Sequence, residues 1–256
     1  MKAVILAGGK GTRISEETHL RPKPLIEIGG KPILWHIMKI YSSYGINEFV
    51  ICCGYKGYMI KEYFANYFLH TSDVRFHLDK DNHMEILARK TENWQVTLID
   101  TGEETQTGGR LLRVKDYIDD DIFCFSYGDG LSDVNINEII KFHQLDKSVA
   151  TVTAVPPPGR FGNIKLRDNT VTNFLEKTDD NNTWINGGYF VLNKKIFEYI
   201  KGDECSFEID ILPKLLSSNK FKAYKHRGFW QPMDTLRDQI VLKELWDNNQ
   251  ALWKIW

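Results

Sequence analysis

A short apolar run, Ala3-Val4-Ile5-Leu6-Ala7, ends in Gly8-Gly9-Lys10-Gly11-Thr12-Arg13, and this junction constrains the fold more than any other segment. An apolar run bounded by glycine reads as a buried strand with a turn at its carboxyl end. Glycines let backbone N–H groups close on phosphate oxygens, and the carboxyl ends of parallel strands are where open α/β sheets bind nucleotides. A purely structural strand-to-helix turn is the competing reading. Two familiar phosphate loops are excluded by position. The G-x-x-x-x-G-K-[ST] loop fails because Thr12 follows Gly11, and G-x-G-x-x-G fails because Ile14 stands where the third glycine belongs. ATPase and dehydrogenase readings weaken together.

The rest of the chain keeps the same rhythm. After Arg21-Pro22-Lys23-Pro24, where two prolines stiffen the backbone around Lys23, Pro32 opens a helix with Ile33, Leu34, Ile37, Met38 and Tyr41 on one face. Phe49–Cys53 is a second buried strand and residues 58–69 return to helical spacing. This order predicts a parallel sheet. Residues 71–100 are polar and read as a small extended insertion or lobe edge. Arg110–Tyr117 and Asn135–Leu145 read as helices, Ile122–Tyr127 and Val149–Val155 as strands. Pro156-Pro157-Pro158-Gly159 then punctuates the chain. Beyond it come hairpin-like pieces turning at Asp168-Asn169, a stretch from Thr183 to Leu192, helices at 195–200 and 207–216, a strand near 222–226 and a final helix at 235–246. The expected fold is a Rossmann-like α/β unit with a mixed, mostly parallel sheet. It reads as a single domain over 1–256, divided after Val155 into 1–155 and 156–256, the second part carrying the C-terminal helix.

Composition removes several function classes. Lys+Arg number 33 against 34 Asp+Glu, a net charge of −1, and no basic run marks a nucleic-acid face. If the ligands are phosphates, a few placed cations must recognise them. Cys52, Cys53, Cys124 and Cys205 show neither C-x-x-C nor zinc spacing, so buried reduced thiols are expected. The seven histidines form no H-x-H or H-E-x-x-H pattern. No stretch has the length of a membrane span, and the first apolar run is shorter than a signal-peptide core, so a cytoplasmic protein is expected.

Gly-Gly-x-Gly-Thr-Arg followed by Pro-Lys-Pro resembles the sugar-1-phosphate nucleotidyltransferase family. Here the pair is Leu6-Ala7-Gly8-Gly9-Lys10-Gly11-Thr12-Arg13 and Arg21-Pro22-Lys23-Pro24-Leu25. The resemblance runs along nearly the whole chain, through Gly29–Ile37, Cys52–Tyr58, Thr107-Gly108-Gly109-Arg110, Tyr127-Gly128-Asp129-Gly130, Ile185–Gly188 and Gly228–Thr235. These segments are similar to the branch that takes CTP and α-glucose 1-phosphate to CDP-glucose and pyrophosphate. One departure is Thr178, where the family usually has proline after Glu-Lys.

The resemblance implies nucleotide contacts from Leu6 to Arg13 and from Lys23, Thr107, Gly109, Arg110 and Asp129. It implies sugar contacts from Gly128, Glu176, Lys177, Asn186 and Gly188, and Mg²⁺ held by Asp129 and Asp234. It also implies a homo-oligomer, with a hexamer as one form. The chemistry fits these roles. A sugar-phosphate oxygen attacking the α-phosphorus is already an anion, so positioning and charge neutralisation suffice. Arg13 can fork across phosphate oxygens and Lys23 can act as a point charge. Taken singly, each has a plainer reading: a solvated cation for Arg13 or Lys23, a turn former for Asp129, a helix cap for Asp234. Asp119-Asp120-Asp121 is expected to be solvated. Turnover with dTTP or UTP and a non-catalytic sugar-nucleotide-binding subunit remain alternatives. The tail, with Trp246, Trp253 and Trp256, is expected to favour a subunit seam over packing on its own core.

Overall fold

The computed structural model describes every residue except 80–82, 89–90, 146–147, 158–162, 168–169 and 176–182. Seven strands form the central sheet: β1 (Lys2–Ala7), β2 (Glu48–Cys53), β3 (Gln95–Asp100), β4 (Ile122–Tyr127), β5 (Ala150–Val155), β6 (Ile185–Asn193) and β7 (Phe221–Lys225). Their spatial order is β7-β5-β6-β4-β1-β2-β3. β6 runs antiparallel to β4 and β5, and the remaining pairings are parallel.

Alternation along β1 explains why both faces are covered. Ala3, Ile5 and Ala7 point into one apolar cluster and Val4 into the other. A strand that is apolar on both faces demands layers on both. Helices α1 (Ile33–Ser43), α2 (Gly57–Ala65), α3 (Thr107–Arg113), α4 (Ile136–Leu145), α5 (Leu212–Ser217) and α6 (Leu236–Asp247) supply them. The predicted stripe of α1 is buried throughout and packs on the first face with Ile60, Ile139 and Leu242, while Leu111 of α3 and Leu215 of α5 cover the second. All four cysteines are free and buried. Among the described residues no helix is long and apolar enough to cross a membrane.

Several elements differ from expectation. The helical pattern at 58–69 is split into α2 and a short helix, Tyr67–Thr71. The insertion is smaller than expected. Asp73–His77 and His83–Ala88 pair as a hairpin, but Gln95–Asp100 is a strand of the main sheet, in register with β2. It is an edge strand, so half of its surface stays polar and weakens the apolar signal. Residues 194–199 form a 3₁₀ helix. Phe207–Ile211 makes a π turn before α5, where Pro213 removes a backbone donor from the regular ladder. The pieces after the proline cluster do pair, Asn163–Arg167 against Thr170–Leu175, although their turn lies outside the described residues.

The tail departs furthest. Trp253 is fully buried in the chain's own core, stacked on Phe229 and Trp246, and its indole N–H donates to His36 Nδ1 at 3.3 Å. Trp256 meets Trp35 edge-on. Aromatic area of this size is worth burying, so Trp253 belongs to the chain's own core, whereas Trp246 and Trp256 are half-buried.

Candidate active site

The sheet order reverses between β1 and β4, so the loops leaving their carboxyl ends diverge and leave a crevice. A cleft of about 530 Å³ opens there. Its lining includes Leu6, Ala7, the whole loop Gly8–Arg13, Lys23, Thr107, Arg110, Gly128, Asp129 and Asp234. The sequence-predicted residues from five separate segments therefore meet in one place.

The glycine loop is shaped by what lies under it. A Cβ on Gly8 would stand 2.2 Å from Arg110 Nη1, and one on Gly54 would stand 2.3 Å from the same atom. Arg110 is 5% exposed, and its guanidinium donates to Thr101 Oγ1 at 2.9 Å and to the carbonyls of Gly102 and Glu103 at 2.6 and 2.9 Å. Burial lowers its pKa from the ordinary value. A cation held by neutral oxygens keeps its field directed at the loop above it. Gly11, at φ +62°, begins the turn Thr12–Ile14 in a conformation that suits glycine. Gly9, Lys10, Thr12 and Arg13 are exposed on the cleft side, and Lys10 reaches Glu104 at 2.6 Å.

Lys23 sits between two carboxylates. Its Nζ lies 2.6 Å from Asp129 Oδ2 and 2.8 Å from Asp234 Oδ1, and Arg13 Nη1 lies 3.0 Å from Asp234 Oδ2. A short ladder explains the convergence: Gly130–Ser132 pairs antiparallel with Trp230–Pro232, and the Met233 N–H donates to the Asp129 carbonyl at 2.8 Å. Burial alone lowers the Lys23 pKa, but the Asp129 and Asp234 carboxylates outweigh it and hold the ammonium above its ordinary value. Burial raises Asp234, yet Lys23 and Arg13 together hold its carboxyl below the usual range. Asp234 is not the helix cap. Thr235 caps α6 in a capping box with Asp238, which leaves the Asp234 carboxylate to the cleft.

The other predicted residues divide. The Thr107 hydroxyl is in the cleft wall, bonded to Glu208 Oε2 at 2.6 Å. Gly109 packs α3 against Asp203, whose carbonyl would be 2.5 Å from an added Cβ, and it does not line the cleft. Gly128 lets β4 close on β1, with Leu6 O 2.4 Å from an added Cβ. Asn186 and Gly188 line an adjoining cavity of about 30 Å³ that shares Tyr127 and Asp129 with the cleft. Glu176 and Lys177 lie outside the described residues. The acidic run stands apart, with Asp119 84% exposed and paired to Lys2.

Sequence reasoning missed Tyr127, Glu103, Glu104 and Glu208, all in the cleft lining. Tyr127 directly precedes Gly128-Asp129, which is a signal of sorts. Glu208 has none, since it arrives from a π turn far along the chain.

The arrangement can receive an anionic ligand over the backbone N–H groups of the glycine loop, with the Arg13 and Lys23 cations beside it. Comparison with known proteins agrees. The nucleotidyl transferase family model matches residues 2–240. The chain is 55% identical to glucose-1-phosphate cytidylyltransferase of Salmonella typhimurium, over all of both chains. It is 45% identical, again over all of both, to a probable glucose-1-phosphate cytidylyltransferase of Bacillus subtilis. Among solved structures it is similar to HddC from Yersinia pseudotuberculosis, at 26% identity and TM-score 0.68, covering 96% of this chain and 99% of that one.

Proposed function

The chain belongs to the nucleotidyl transferase family, and on that footing we propose that it transfers the cytidylyl group of CTP to α-glucose 1-phosphate, giving CDP-glucose and pyrophosphate. The full-length likeness to a glucose-1-phosphate cytidylyltransferase carries the choice of base and sugar. The cleft supports the chemistry. The sugar-phosphate oxygen is the nucleophile, and it attacks the α-phosphorus in line with the departing pyrophosphate. The loop Gly8–Gly11 offers backbone N–H groups to the triphosphate. Arg13 and Lys23 neutralise charge that builds on the phosphoryl oxygens, and the Arg110 guanidinium adds positive potential from beneath Gly8. Asn186 and Gly188, in the adjoining cavity, receive the sugar. Glu176 and Lys177 are proposed to complete that side.

Asp129 and Asp234 suit a divalent cation in donor chemistry. Both carboxylates face one point, now spanned by the Lys23 ammonium, and Mg²⁺ takes one or two carboxylates together with substrate oxygens. Among the described residues no group of three or more His, Cys, Asp or Glu forms a self-sufficient metal cage. When bound, Mg²⁺ would supply charge neutralisation on the phosphates.

The test is pyrophosphate release from glucose 1-phosphate with CTP, dTTP, UTP, ATP and GTP in turn, each with and without Mg²⁺. Release with CTP above all others is expected. Cytosine offers an amino donor where uracil and thymine offer an acceptor, so release with dTTP alone would refute the base assignment.

A further inference from the structure

Three hydroxyls converge on one carboxylate where the cleft meets the small cavity. Thr107 Oγ1 donates to Glu208 Oε2 at 2.6 Å, Ser206 Oγ donates to the same oxygen at 3.1 Å, and the Tyr127 phenol donates to Oε1 at 2.5 Å. Each hydroxyl is fixed from behind by a nitrogen donor. The Phe207 N–H reaches Thr107 Oγ1 at 2.9 Å, the Ile209 N–H reaches Ser206 Oγ at 3.2 Å, and Asn186 Nδ2 reaches the Tyr127 oxygen at 3.1 Å. A hydroxyl that accepts from nitrogen has its own proton left to give, so all three protons point at Glu208.

The direction of the chain reaches the sugar side. Asn186 Oδ1 accepts the Gly188 N–H at 2.8 Å, which assigns the amide nitrogen to Tyr127. Asn186 is exposed and lines the adjoining cavity, and among the described residues its second amide N–H has no partner. We infer that Glu208 is a positioning residue for the sugar phosphate: by fixing the Tyr127 hydroxyl as an acceptor toward Asn186, it orients the remaining Asn186 N–H to donate to a sugar hydroxyl. This rests on the reading that Asn186 lies on the sugar side.

The chain can be cut at two points. In Glu208→Gln, the new carbonyl oxygen still accepts from Thr107 and Ser206, while the amide nitrogen meets Tyr127 as a second donor. The phenol must then turn, and Asn186 loses its acceptor. Tyr127→Phe removes the same acceptor and leaves Glu208 with two hydroxyl donors, so it serves even if the first variant does not fold. Initial rates of pyrophosphate release are measured on the full chain with CTP and glucose 1-phosphate, for wild type, each single variant and the double. In each single variant, KM for glucose 1-phosphate is expected to rise about tenfold, the worth of one oriented hydrogen bond, with KM for CTP and kcat within about threefold of wild type. The double variant is expected to be no worse than the larger single, because both cut one chain. An unchanged KM for glucose 1-phosphate in Tyr127→Phe, equal rises in both KM values, or multiplied effects in the double overturns the inference while the proposed function stands. A wild-type protein that turns over neither substrate overturns the proposed function, and the inference with it.

Discussion

Replacing Lys23 with Met removes the charge that joins two carboxylates while keeping most of the side-chain volume. The Lys23 side chain is 11% exposed, and Asp129 and Asp234 are 32% and 29% exposed. Breaking a fully buried pair costs about 3–5 kcal/mol, because the orphaned charge stays desolvated. Here water reaches the carboxylates and Arg13 still holds Asp234, so a loss of about 1–2 kcal/mol is expected. That corresponds to a fall in Tm of roughly 2–8 °C without substrate. The pH dependence follows from the two shifts. Asp234 lies below 3.8 when folded, so its contribution is present above about pH 4 and is lost as pH falls through the folded pKa. Lys23 lies above 10.5 when folded, so its contribution is present below that value and is lost as pH rises through the folded pKa. Calorimetry should show a deficit that is constant across neutral pH, narrows in acid, and shrinks when Asp234→Asn is already present. In the pyrophosphate-release assay kcat should fall by roughly 10²–10³. A variant with wild-type Tm at pH 7 and wild-type kcat would falsify the assignment of Lys23 to both roles.

Other perturbations separate structure from chemistry. Gly8→Ala should abolish pyrophosphate release and lower Tm, because its Cβ would meet the Arg110 guanidinium, itself anchored by neighbouring carbonyls; a fully active variant would refute the close packing. Asp234→Asn should lose activity but melt within a few degrees of wild type, whereas Thr235→Ala should cost about 1 kcal/mol by removing the α6 cap, with kcat retained. The buried His36 imidazole has its pKa pushed down to about 4, chiefly by burial, with Nε2 against the Ile28 carbonyl and Nδ1 accepting from Trp253. Stability should therefore fall as pH drops from about 6.5 toward 4, and equilibrium unfolding of His36→Gln should lack that slope; an identical slope in the variant would place the proton elsewhere.

Much of the molecule was legible in residue order. The strand before Gly8, the stripe of α1 and the strand before Gly128 rest on local periodicity, which depends on neighbours a few residues away. β3 was obscured because an edge strand shows the core only part of its surface. The burial of Trp253 was not legible in the sequence because it finds its partners in α1 and at Phe229, and no local pattern reports a contact across so much chain.

For the site, the sequence by itself determined which residue types are present: a glycine loop that fails two common phosphate fingerprints, a lysine stiffened by prolines, and acidic residues after two strands. It took the folded chain to set Lys23 between Asp129 and Asp234 and to bring the Thr107 and Tyr127 hydroxyls onto Glu208 at the cleft wall. These are pairings between groups separated by 81 to 211 residues. They depend on the reversal of strand order at β1 and β4 and on the short ladder that draws the last strand to Gly130, and neither is written in any local stretch of chain.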